Sequence, residues 1–219
     1  MLWHLPSVKI NKVVQKLIWA DLILISGWSL IDPVFSIFII DRIQGATIVT
    51  VGFAAAIYWF AKSVAQMPVA YVLDRIKGEK DDYLIFILGL SLSSLAAFSL
   101  ALSTQIWQLY LMKLIQALAF SLYIPAWYSL FSHHLDKEHQ SFEFSLDSTV
   151  TGITAGVMGL LSGVLVEWFG FSVLFFVAAV LSLLAAIVVF LVPEIALPNH
   201  GSRKREFMVG DHTPKSVNK

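Results

Sequence analysis

The chain has 219 residues, 58% of them hydrophobic and only 14% charged, with a mean hydropathy of +0.76. A water-soluble domain this apolar could not cover its own surface, so the composition excludes an ordinary globule and points to an integral membrane protein. A formal net charge of +0 carries no nucleic-acid signature, and the lack of any Cys excludes disulfides and thiolate metal sites.

Residues 1–16 are mixed in polarity and basic, with no small-residue cleavage site, and read as a cytoplasmic lead into a retained first span. A membrane-spanning helix needs about 20 apolar residues. Six stretches qualify, at 17–40, 47–73, 83–103, 106–131, 145–168 and 171–192. The links between them are short, so consecutive helices should be antiparallel neighbours in one all-α, six-helix transmembrane domain over 17–193. Beyond it, residues 194–219 are polar, carry Arg203, Lys204 and Arg205, and read as a disordered cytoplasmic tail. With six spans, twelve of the Lys and Arg residues fall on one side and Arg42 alone on the other. Such a bias places both termini in the cytoplasm.

Three ionisable residues lie deep in spans: Asp32, Lys62 and Lys113. A charge there costs several kcal/mol, so these residues are expected to face a cavity and to have partners. At about 1.5 Å per residue, Asp32 lies about 5 Å to the outer side of the midplane, Lys113 about 8 Å to the same side, and Lys62 near the middle. An Asp32–Lys113 pair is therefore expected, with Lys62 as a second possible partner. Either it is a static lock between the first and fourth helices, or it lines a cavity that binds solute or relays a proton. Asp21 and Asp147 also fall in spans, but close enough to the inner end to reach water. Pro33 should kink the first helix beside Asp32, and Pro68 and Pro125 should do the same to the second and fourth.

The link after the second span is short and dense in charge. It runs Ala70-Tyr-Val-Leu-Asp74-Arg75-Ile-Lys77-Gly78-Glu-Lys80, with Gly78 free to take a positive φ at the bend. This stretch resembles the loop between the second and third helices of the major facilitator superfamily (MFS), Gly-x-x-x-Asp-Arg-x-Gly-Arg/Lys-Arg/Lys. Asp74 and Arg75 match in place, while Ala70 stands for the first Gly and Gly78 falls one residue late, behind Lys77. The fourth span reads Lys113-Leu-Ile-Gln116-Ala117-Leu-Ala119-Phe-Ser121. It is similar to the family's fourth-helix motif Arg-x-x-Gln-Gly-x-x-x-Ala, with Gln116 matching and Lys113 keeping the charge of Arg but not its bidentate geometry.

What the resemblance implies is an MFS-like half bundle corresponding to the amino-terminal half, in a bacterial-type cytoplasmic (inner) membrane. Full members hold solute between two six-helix halves near the midplane. On that footing Asp32, Lys62, Lys113 and Gln116 are candidates for the solute or proton pathway. Asp74, Arg75, Lys77, Gly78 and Lys80 would form the gating loop. The fifth span adds Gly152, Gly156, Gly159 and Gly163, which at about 100° per residue share one narrow face. That face serves either internal packing or pairing with another bundle. The third and sixth spans hold nothing more polar than Ser beyond Tyr83, and should face lipid.

His133, His134, Asp136 and His139 cluster in the link between spans four and five, where a solvated loop is the simpler reading than a metal site. No His-Glu-x-x-His and no nucleophile with an evident base is present in the sequence, so neither enzyme chemistry nor a cofactor is expected. The functional reading is a transporter of a small solute, working as a parallel homodimer of halves. Its alternatives are a half that needs a separately encoded partner, and a non-transporting membrane scaffold. The fold does not name the solute.

Overall fold

The computed structural model describes residues 10–191 except Lys77 and Lys137. The expected disordered tail and the basic cluster Arg203 to Arg205 lie outside the described residues, as does Lys77 of the expected gating loop.

Every regular element among the described residues is helical. Helix α1 (Lys12–Ile31) begins five residues before the expected span, because the Asn11 side chain accepts a hydrogen bond from the Val13 amide at 3.0 Å and Val14 and Leu17 are already buried. At Pro33 the missing amide and the ring's bulk break the α-helical ladder. A 3-10 turn, Asp32–Val34, links α1 to the short α2 (Phe35–Arg42), so Asp32 sits at a discontinuity. Helices α3 (Ile48–Arg75) and α5 (Ile106–His134) continue through Pro68 and Pro125. Each opens on a capping box, Thr47 with Thr50 and Gln105 with Gln108. Helix α4 (Lys80–Leu102) lies between them in sequence.

The last stretch, α6 (Gln140–Phe190), has 51 residues. Straight, it would be about 76 Å long, more than twice the about 30 Å of a bilayer's hydrocarbon core. Its helical backbone is interrupted at Gly170, with φ 80° and ψ 170°, a conformation open to glycine and strained for other residues. The contacts on either side show the chain turning back there. Gly159 lies over Pro33, Phe171 packs on Phe38 with centroids 5.6 Å apart, and Gly27 is backed by the Ala178 backbone. Among the described residues, five helical stretches are thus long and apolar enough to cross a membrane, the last of them folded at Gly170.

The links gather at two ends. At one, Gln44 and Gln105 form an isolated bridge, the Gln44 amide donating to the Thr104 carbonyl at 2.9 Å, and the Arg42 guanidinium lies over the Phe171 ring. At the other, Asn11 donates to the His134 carbonyl, His134 approaches Glu79 at 3.7 Å, and the Tyr83 hydroxyl donates to the Val189 and Phe190 carbonyls.

Helix α1 packs on α6, α4 lies against both α5 and α6, and α3 packs on α5. Two glycines make these contacts close. A Cβ on Gly27 would lie 2.8 Å from the Ala178 carbonyl oxygen, and one on Gly89 would lie 2.7 Å from the Tyr123 amide nitrogen. Phe38, Phe86, Phe131 and Phe175 fill the core. The edge helix α3 buries little: Phe60, Val64, Met67 and Tyr71 are exposed, Phe60 by 74%.

Candidate functional site

The α1–α2 break and α5 bring the expected polar residues to one level. Lys113 is buried on α5, where its Nζ donates to Gln116 Oε1, one turn on, at 2.8 Å. The same ammonium sits 3.7 Å from the Phe35 ring centroid and 5.7 Å from that of Tyr58, so cation–π contacts supplement the hydrogen bond. Asp32 lies within electrostatic reach of Lys113 and Tyr58. No direct ion pair joins Asp32 to Lys113 among the described residues. The expected pair is therefore a looser arrangement: the cation is held by an amide and two rings, and the carboxylate is exposed at the helix break. An unquenched carboxylate beside a buried cation can meet a solute that a closed salt bridge would exclude.

Lys62 on α3 stands apart from this pair. Its ammonium lies 4.8 Å over Trp59 and 5.8 Å over Tyr58, so Tyr58 is the ring the two lysines share. The result is a polar band on otherwise apolar helices: Asp32, Tyr58, Lys62, Lys113 and Gln116.

In the charged link, Asp74 and Arg75 close α3 and both are exposed, as are Gly78 and Lys80. The Arg75 guanidinium lies 4.5 Å over the Tyr71 ring, and Gly78 takes a φ of 142°. No described side chain pairs with Asp74. In the glycine face of α6, a Cβ on Gly159 would meet Pro33 at 3.6 Å, while Gly152, Gly156 and Gly163 have open space. Three of the four glycines therefore do not pack against the described residues of this chain. The internal close approaches fall to Gly27 and Gly89, which the sequence reading did not single out.

The histidines of the α5–α6 link form separate contacts. His139 Nδ1 is 3.3 Å from Asp136 Oδ2, and His134 pairs with Glu79. The Asp136 carboxyl is held below its ordinary range, first by the Glu138 amide and then by His139. Glu143 is fully buried and accepts the Asp136 amide at 3.1 Å, which ties this link to the first turn of α6.

A second polar cluster escaped the sequence reading. Asp21 on α1 accepts a hydrogen bond from the Tyr123 hydroxyl on α5, and Asp147 on α6 lies close enough for the two carboxylates to interact. All three line a cavity of about 350 Å3. The signal was present, since Asp21 and Asp147 stand at similar depth on their spans, but their nearness to the inner end made solvent a sufficient explanation.

The profile of the Major Facilitator Superfamily matches residues 17–217 of the sequence. The chain belongs to the Major Facilitator Superfamily. As an MFS protein with several apolar helices of spanning length, it is a multi-pass integral membrane protein. Among solved structures, its fold is similar to that of the POT family transporter PepTSo, crystallised in meso, with a TM-score of 0.60 at 15% identity. The match covers 87% of this chain and 39% of that one, so this MFS chain spans well under half the length of that transporter. No curated protein sequence matches the chain.

Proposed function

We propose that the chain is one six-helix half of a transporter for a small solute, completed by a second copy of itself in parallel orientation. In this reading the two limbs of α6 on either side of Gly170 are separate crossings, and the end holding Asn11, Glu79 and Phe190 faces the cytoplasm. That end carries Lys12, Lys16, Arg75 and Lys80, as the positive-inside rule requires. The membrane would be a cytoplasmic, bacterial-type inner membrane.

The observation that carries the proposal is the uncovered surface of α3 and of the first limb of α6. Phe60, Val64 and Met67 on the one, and Ile153, Val157 and Leu160 on the other, are exposed, and three glycines on α6 are open for a close helix approach. The polar band of Asp32, Lys62, Lys113 and Gln116 needs an opposing wall to become a cavity. A copy related by a two-fold axis along the membrane normal would supply the wall and double the band.

A panel of small solutes is screened for stabilisation of the purified chain in nanodiscs, and hits are tested for counterflow in proteoliposomes. Asp32→Asn, at equal protein per vesicle, is expected to abolish solute movement while leaving the melting temperature within about 2 °C, since exposed substitutions rarely cost more than about 0.5 kcal/mol. Counterflow at the wild-type rate in Asp32→Asn would remove this carboxylate from the pathway. Solute movement only after addition of a different six-helix protein would replace the homodimer with a two-chain transporter.

A further inference from the structure

The cavity of the second polar cluster lies between α1, α5 and the first limb of α6. Asp21 is eleven residues before Asp32, about 16 Å toward the Asn11 end, and the cavity reaches from there to Phe120, whose ring centroid lies 6.2 Å from that of Tyr58 in the polar band. Its walls have a specific composition. Phe120, Tyr123, Trp127, Tyr128 and Phe144 supply rings, and Asp21 and Asp147 supply the charge. Among the described residues, no cationic side chain lines it.

The two carboxylates are not equivalent. One Asp21 oxygen is engaged by the Tyr123 hydroxyl. Asp147 is only 7% exposed, and its Oδ1 is buried with no hydrogen-bond partner among the described residues. A buried carboxylate oxygen without a donor is costly, and native structures seldom leave one so unless something else satisfies it. Asp147 itself lines a cavity of about 350 Å3, within the size range of small-molecule sites.

We propose that this cavity binds an organic cation, a primary amine or quaternary ammonium carrying one apolar group, with its charge against Asp147 and its body among the rings. Aromatic faces attract such cations through their quadrupoles, and the attraction grows when the site excludes water. A hard metal ion fits less well, because it takes six or more oxygens and this wall is mostly ring carbon. An anion would meet two carboxylates. A neutral apolar solute would leave the Asp147 oxygen unpaired.

All of its lining residues belong to one chain, so binding does not require the pairing of two copies. Binding would be seen in a lone half, and its failure would leave the homodimer proposal standing. The full chain is reconstituted in nanodiscs of zwitterionic lipid and titrated calorimetrically with benzyltrimethylammonium and benzylamine. The comparison is neopentylbenzene, the neutral carbon isostere of the first. Sodium and magnesium chlorides form a third arm.

Saturable binding of at least one ammonium is expected, with the isostere about tenfold or more weaker. Asp147→Asn keeps the side-chain shape and should weaken the ammonium about tenfold or more, and Tyr128→Leu should weaken it by a smaller factor. Asp41→Asn, at the opposite end, should leave affinity unchanged. Melting temperatures recorded on the same samples separate lost binding from lost folding, and Tyr128→Leu tests the wall if Asp147→Asn fails to fold. Equal affinity for the isostere, ammonium affinity that neither variant changes, saturation by magnesium or sodium alone, or no saturable ammonium binding would each overturn the proposal.

Discussion

Gly89 offers the sharpest test of the packing. It sits on α4 where α5 crosses, and a Cβ there would lie 2.7 Å from the Tyr123 amide nitrogen, 2.9 Å from Tyr123 Cα and 3.0 Å from the Ala119 carbonyl oxygen. All three are backbone atoms, so no side chain can rotate away and the helices themselves must separate. Overpacking costs about 1–3 kcal/mol, and backbone obstruction puts Gly89→Ala in the upper half of that range. Replacing a helical glycine by alanine returns about 1 kcal/mol. The net loss is then about 1–2 kcal/mol, which in a chain of this size lowers the melting temperature by about 2–8 °C. Gly52→Ala is the matched control, a helical glycine with open space around it and outside the α6 glycine face, and should be neutral or stabilising. Intrinsic tryptophan fluorescence during heating reads both variants without a label, since the chain has seven Trp and no Cys for a thiol dye. Gly89→Ala melting at or above wild type would refute the close α4–α5 crossing.

Three further outcomes are expected. Gly170→Ala has no steric obstacle but forces a Cβ into a glycine-only conformation, and should lower stability by about 1–3 kcal/mol in the same melt; an unchanged melt would mean that the backbone there is not held as described. Lys113→Met takes away the donor of the buried Gln116 Oε1, and should cost no more than about 1–3 kcal/mol of stability while abolishing counterflow. A large loss of stability would instead make the Gln116 hydrogen bond a structural lock. In sealed cells, an impermeant maleimide should label Thr104→Cys directly and Ser132→Cys only after permeabilisation; the reverse pattern would invert the proposed orientation.

Much of the helical layout was legible because bilayer thickness fixes how long an apolar run must be. The Pro33 break and the Gly170 turn could be placed because each depends on one residue's backbone chemistry. Distances across the bundle were another matter. Matching depth suggested a direct Asp32–Lys113 contact, but depth does not give azimuth, and Lys113 turns toward Gln116 and the Phe35 ring instead. The four glycines of α6 formed the visible stripe, yet the crossings use the isolated Gly27 and Gly89. A single glycine opposite a partner's backbone leaves no periodic trace in one sequence. Asp21 and Asp147 were set aside for the same reason: they are brought together with Tyr123, which lies 102 residues from Asp21 and 24 from Asp147 in the chain.

The pairing of two halves is the centre of this account, and a disulfide reads it in native membranes. Gly156→Cys and Leu184→Cys stand fourteen residues before and after Gly170, so they lie at similar depth, the first on the open glycine face and the second exposed on the returning limb. After mild oxidation and a non-reducing gel, a dimer band is expected for Gly156→Cys and none for Leu184→Cys. A dimer band from Leu184→Cys with Gly156→Cys remaining monomeric would contradict that pairing.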